Sequence, residues 1–139
     1  MINPEISIED LNQMSEGTMV EHLGIKFTHI DTEEIRATMP VDKRTIQPYG
    51  ILHGGASVAL AETLGSVAAH SCIDATKYQS VGLEINANHI RSVKSGNVTG
   101  IARPVHMGRS THVWAIDISN EEGKLVCTSR LTMAIIEKR

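Results

Sequence analysis

Apolar and polar residues roughly alternate through "IKFTHIDTEEIRATMPV" on both sides of "DTEE", a period of two that predicts two antiparallel strands joined by a tight turn. Before this hairpin, "SIEDLNQMSEGTMVEHLG" has Ser7 three residues ahead of Asp10, Leu11 and Met14 at i, i+3, and Gly24 at its close. That combination predicts one or two short peripheral helices ended by a glycine cap. "DKRTIQPYGILHGG" carries a proline and three glycines and reads as a loop that launches the next element. From Gly55 to about Ile73 the chain is rich in Ala, Leu and Val without period-two alternation, and it is too long for an ordinary strand, so a long helix is expected. "SVGLEINANHI", "GNVTGIARPVHMG", "STHVWAIDISNEEG" and "KLVCTSRLTMAIIE" then form four β-rich runs divided by Ser-Gly, Met-Gly-Arg and Glu-Glu-Gly turns. The order α, β, β, long α, β, β, β, β predicts an α+β fold, with an antiparallel sheet covering one side of the helix.

Composition narrows the classes. With 139 residues the chain suits one domain spanning 1–139, and its 41% hydrophobic but only 3% aromatic content implies an aliphatic core. A net charge of -3, with thirteen basic residues scattered along the chain, offers no electrostatic stripe for a polyphosphate, so nucleic acid is excluded as an expected partner. "MINPEISIEDLNQ" lacks the basic and apolar regions of a signal peptide, and no stretch reaches the roughly 18 apolar residues of a membrane span. A cytoplasmic protein without a membrane partner is expected. Cys72 and Cys127 stand alone, as reduced thiols in or near the core, and the seven histidines form no HxH or HExxH pattern, so no metal site is expected.

Glu62 breaks the pattern. Twenty-nine residues separate Arg44 from Asp74, and Glu62 is the sole Asp, Glu, Lys or Arg among them. At about 100° per residue it shares a face with Val58, Gly65 and Ala69, with Ser66 one turn further on, so it belongs to no polar stripe. A helix apolar nearly all round should be buried, and a buried unpaired carboxylate costs several kcal/mol or has its pKa raised. Either neighbouring donors satisfy Glu62, or it faces solvent, or it is an acid held in an apolar cleft for general-base or nucleophilic work.

"HGGAS" places His53, Gly54 and Gly55 at the first turn of this helix, where backbone N–H groups lack intrahelical partners and the dipole favours negative charge. Those groups can form an oxyanion hole, with glycine letting a substrate approach the backbone; plain turn chemistry is the competing reading. Two helical turns from Gly54 to Glu62 span about the size of an acyl group. Gln47 and His53 add side-chain donors nearby.

"QPYGILHGGASVALAETLGS" resembles the hotdog-fold acyl-CoA thioesterases, in the branch with a helix-borne glutamate that includes the phenylacetate-pathway, 4-hydroxybenzoyl-CoA and 1,4-dihydroxy-2-naphthoyl-CoA thioesterases. The likeness continues through "VGLEINANHIRSVKSG", "ARPVHMGRSTHVWAIDI" and "CTSRLTMAI". The resemblance implies a sheet wrapped around one long central helix, and hydrolysis of an acyl-CoA without metal or organic cofactor. It makes Glu62 the nucleophile or general base, and has the Gly54 N–H and Gln47 side chain polarise the thioester oxygen. Ser66 would position water or the carboxylate, with His53 and His89 lining the pocket. Arg91, His106, and the turn of Arg109, Ser110 and Thr111 would hold the nucleotide end of CoA. A homodimer whose sites draw on both chains, or a homotetramer of two such dimers, is implied as well. "QPYGILHGGASVALAE" is most similar to the menaquinone-pathway and related aryl-CoA enzymes, which favours 1,4-dihydroxy-2-naphthoyl-CoA or another aryl-CoA; Met19, Leu23, Val67 and Tyr49 are candidates for the acyl pocket. Two further readings are a hotdog hydratase or dehydratase using His53 or His89 beside Glu62, and a non-catalytic acyl-CoA binding module.

Overall fold

A computed structural model describes residues 1–139. Two short helices, α1 (Ile8–Met14) and α2 (Met19–His22), come first. Ser7 caps α1 by accepting the Asp10 N–H at 3.1 Å, and Thr18 caps α2 through the Val20 N–H. Strands β1 (Lys26–Ile30) and β2 (Ile35–Pro40) follow as the expected hairpin, its turn held by Asp31, which accepts the N–H groups of Glu33 and Glu34. The long helix α3 runs Gly54–Ser71, and β3 (Tyr78–His89), β4 (Asn97–Met107), β5 (Thr111–Ser119) and β6 (Leu125–Glu137) complete the chain. All nine elements agree in kind and order with the sequence pattern. No helix is long and apolar enough to cross a membrane.

One six-stranded antiparallel sheet has the order β1-β2-β4-β5-β6-β3. The link from β2 to β3 therefore crosses β4, β5 and β6 to reach the far edge, and α3 is that crossing. Alternate residues of the strands face the helix: Ala37 and Met39 of β2, Val98 and Ala102 of β4, Trp114, Ile116 and Ile118 of β5, and Leu131 and Met133 of β6. They close over Leu60, Ala61, Leu64 and Ala68 of α3 in one continuous core. A Cβ on Gly65 would lie 2.5 Å from Leu131 Cδ2, and one on Gly100 would lie 2.6 Å from Leu64 Cδ1, so glycine at both positions lets helix and strands approach closely. This is the wrapped helix the resemblance implied.

The chain departs from expectation on one face of α3. Gly55, Glu62 and His70 are exposed, and Ala59 and Ser66 half-buried, so the helix is not covered all round. Apart from Glu62 and His70 these residues are small, which is why the uncovered face leaves no polar stripe in the sequence.

Outside α3, Glu34 is a buried carboxylate paired with Arg36 and Arg103, whose side chains are half-exposed. Burial alone would raise its pKa, but hydrogen bonds from Arg36 and then Arg103 outweigh it and hold the carboxyl below the usual 4.5. A lowered folded pKa contributes stability that is present above pH 4.5 and lost as the pH falls below it. Glu34→Gln should therefore cost about 1–3 kcal/mol at neutral pH, since both arginines can rehydrate, and the deficit should narrow as the pH drops below 4.5. Urea unfolding of both proteins across that range measures it; a deficit independent of pH would show that the carboxylate charge contributes nothing.

Candidate active site

The start of α3 is built from its own capping residue. His53 sits in extended conformation and its Nδ1 accepts the Gly55 N–H at 2.7 Å, while its carbonyl accepts from Ala56 and Ser57. Nδ1 must be unprotonated to accept, so the imidazole proton lies on Nε2 as a donor. The Gly54 N–H makes no hydrogen bond within the chain. It is thus an unpaired donor at the positive end of an 18-residue helix. Gln47 lies in the loop leading to this point, which is closed by the Ile46–Leu52 bridge and by the His53 N–H donating to the Thr45 carbonyl at 2.8 Å. Its Oε1 accepts the Tyr49 N–H, which leaves Nε2 as the free donor.

His89, at the end of β3, packs edge-on against the same glycine: a Cβ on Gly54 would lie 2.8 Å from His89 Nε2. Gly54, Ser57, His89, Ile90 and Arg91 line a hollow of about 180 Å³, and the Arg91 guanidinium is tied by a 2.9 Å bond to the Leu125 carbonyl. On the other side of the helix start, Met19, Leu23, Ile46, His53, Gly55 and Ala59 line a mostly apolar hollow of about 270 Å³. Of the acyl-pocket candidates Met19 and Leu23 are placed there, whereas Tyr49 is 90% exposed.

Glu62 is not the buried acid the helix pattern suggested. It is exposed in the single chain, lies on the open face of α3, and its carboxylate makes no hydrogen bond or ion pair. Oε1 rests against Gly82 of β3, 3.1 Å from where a Cβ would stand. Ser66 does not bond it; the hydroxyl lies 3.9 Å from Met133 Sδ. Gly54 and Glu62 are eight positions apart along the helix, an axial rise of about 12 Å. That is well beyond hydrogen-bond reach, and the Gly54 N–H and the Glu62 carboxylate make no contact within the chain.

The nucleotide-site candidates are divided between the two ends of the molecule. Arg91 belongs to the N-terminal end of α3, whereas Arg109 lines a hollow of about 380 Å³ with Cys72, Ile73, Tyr78, Met107 and His112 at its C-terminal end. His106, Ser110 and Thr111 belong to the same β4–β5 turn region, and His106 and Ser110 are exposed. One chain therefore does not bring Arg91 and Arg109 together. In that second hollow His112 is buried and its Nδ1 has no partner; burial holds its pKa below the usual value. Burial likewise raises the Cys72 and Cys127 thiols, which keeps both protonated and weakly nucleophilic. His29, Asp31 and Glu34 lie close enough to share an ion, but Glu34 is committed to its two arginines.

Gly82, which lies against Glu62, is the neighbour that sequence reasoning passed over. The available signal was a lone glycine inside "SVGLEINANHI", which marks a bulge or a close approach, and β3 has its register shift between Gly82 and Glu84.

Comparison with known proteins identifies the family. The profile of the thioesterase superfamily matches residues 49–127. The chain is 54% identical to the 1,4-dihydroxy-2-naphthoyl-CoA hydrolase of Escherichia coli, over 95% of this chain and 96% of that one. It is 50% identical to a proofreading thioesterase of Cronobacter sakazakii, over 94% and 95% of the two chains. Among solved structures, a thioesterase variant from Pseudomonas aeruginosa superposes with a TM-score of 0.95 at 50% identity, covering 96% of each chain. A thioesterase from Haemophilus influenzae gives 0.94 at 51% identity, over 99% of this chain and 96% of that one. With that profile match, identities of 50% and above over nearly the whole chain, and the same fold in solved thioesterases, the chain belongs to the thioesterase superfamily.

Proposed function

We propose that this acyl-CoA thioester hydrolase acts on aryl-CoA substrates, with 1,4-dihydroxy-2-naphthoyl-CoA, the substrate in the name of the Escherichia coli relative, as the leading member. The observation that carries the site assignment is the pairing of two unsatisfied groups on α3, the Gly54 N–H and the Glu62 carboxylate. Gly54 and the Gln47 amide donate to the thioester oxygen, whose negative charge grows as the carbonyl carbon becomes tetrahedral. Preorganised donors of this kind are worth about 3 kcal/mol each in the transition state. Glu62 attacks the acyl carbon or takes a proton from the attacking water. By either route the C–S bond breaks and CoA leaves with the electron pair as a thiolate that is then protonated. Attack by water gives the acid directly, whereas attack by Glu62 leaves an acyl–Glu62 anhydride, whose new C–O bond water then cleaves to give the acid and the free carboxylate. The His53 Nε2–H and His89 border the thioester, and Ser66 lies one turn from Glu62 to hold water.

The 12 Å rise between Gly54 and Glu62 favours a site shared by two chains. Strand β3 supports the same reading: it is twelve residues long, pairs on one edge only, and exposes Val81 (37%) and Leu83 (63%). Two copies joined antiparallel along β3 would place the open face of one α3 opposite the helix start of the other. That arrangement would also set Arg91 of one chain near Arg109, Ser110, Thr111 and His106 of the second, as one basic surface for the CoA phosphates. A homodimer is the smallest working unit on this reading, and two dimers would form a homotetramer. Two free thiols accord with a reducing, cytoplasmic setting.

A panel of acyl-CoAs assayed by release of free thiol tests the substrate. The expected result is a kcat/KM at least about tenfold higher for aryl than for long aliphatic acyl groups, the scale of discrimination that apolar pocket contacts supply. The reverse preference would sink the aryl-CoA assignment.

A further inference from the structure

We propose that Gly82 is a positioning residue for Glu62: the bare Cα of this edge-strand glycine is the surface against which the catalytic carboxylate is set. This rests on the reading of Glu62 as the catalytic acid. Glu62 makes no hydrogen bond or ion pair within the chain, so packing contact is what its own chain offers the head group. Glu62 Oε1 lies 3.1 Å from the ideal Cβ position of Gly82, and the next atom there is Met133 Sδ at 3.9 Å. Ser66 Oγ lies 3.9 Å from that same sulfur, so Met133 of β6 joins Gly82 of β3 to Ser66 of α3 beside the carboxylate's contact with Gly82.

The backbone does not require glycine here. Gly82 is absent from the five glycines with positive φ, and it pairs in register with Met133, so an alanine fits the strand conformation. What an added methyl meets is the free end of a flexible side chain, which can move by a few tenths of an ångström at small cost to folding. The cost falls on the reaction instead, because a small displacement of a reacting group from its attack geometry slows chemistry steeply. The bulge directly after Gly82 puts two residues opposite one on β6 and ends the regular alternation there. A side chain restored at this point would enter the space the carboxylate occupies.

The experiment measures kcat and KM for hydrolysis of one acyl-CoA by the full chain, Gly82→Ala, Glu62→Gln and the double variant, with thermal unfolding of each. Support is a kcat for Gly82→Ala lowered about tenfold at unchanged KM and unchanged unfolding midpoint, and no further loss when Gly82→Ala is added to Glu62→Gln. If Glu62→Gln hydrolyses as fast as the parent, the catalytic reading of Glu62 fails and this proposal with it. If Glu62→Gln is crippled while Gly82→Ala keeps the parental kcat, only the proposal fails. It fails too if Gly82→Ala costs the same factor in both backgrounds, if its effect lies in KM, or if it does not fold, since the contact then lies elsewhere.

Discussion

Glu62→Gln should lower kcat for acyl-CoA hydrolysis by roughly a hundredfold or more, with KM and folding stability little changed. Glutamine keeps the length and shape of the side chain, but its amide can neither take a proton from water nor attack the acyl carbon. Stability should be indifferent because the carboxylate lies on an exposed helix face and gives up no hydrogen bond or ion pair when it is replaced. Alanine would be a poorer probe, since it also removes the contact with Gly82. Steady-state free-thiol release and thermal unfolding on the same preparation provide the measurement. Undiminished hydrolysis would return Glu62 to the role of an ordinary surface acid, as in an acyl-CoA binding module, and move the chemistry elsewhere.

The second large effect is expected at the other end of the site. Gly54→Ala adds a methyl that would lie 2.8 Å from His89 Nε2, 3.0 Å from its Cε1 and 3.3 Å from its Cδ2. An imidazole ring that close has to swing away, or the first turn of α3 has to shift. Either movement disturbs the unpaired Gly54 N–H, which the proposed mechanism directs at the thioester oxygen. Because the donor is displaced rather than deleted, kcat should fall by about tenfold to a hundredfold, somewhat less than deletion of an oxyanion donor costs. The helix itself should tolerate the change, alanine being the better helix former of the two. Saturation kinetics with an aryl-CoA decides the matter: a variant at parental kcat would place the polarising donor away from Gly54.

Much of this was legible in the chain. Strands β1 and β2 announce themselves by alternation around "DTEE", and α3 by its length and its lack of a period-two pattern. The glycines at the helix start and the lone acid two turns on single out the proposed site because they stand in a run with no other charged residue. The burial of Glu62 could not be read, since periodicity reports which residues share a face and not whether another element covers it. Gly55, Ala59 and Ser66 are small enough to suit either environment. The division of Arg91 from Arg109 was equally hidden: both are basic residues near turns, and only the direction of β3 along α3 shows that they belong to opposite ends. Gly82 was visible as an interruption of a strand, but its neighbour is brought by the crossing of α3 over the sheet, a relation no local window contains.

The sheet order has a consequence for how the protein is made. β3 leaves the ribosome well before β6, yet β6 is its only neighbour within the chain, with His89 opposite Cys127 and Tyr78 opposite Glu137. While the nascent chain lacks β6, the strand that carries Gly82 has both edges open and α3 lacks the cover of Leu131 and Met133. Such long-range pairings form late and expose apolar surface in the meantime. The surroundings of Glu62 are therefore completed among the last steps of biosynthesis, and an arrested chain ending before Leu125 would display α3 without the strand that covers it through Leu131 and Met133.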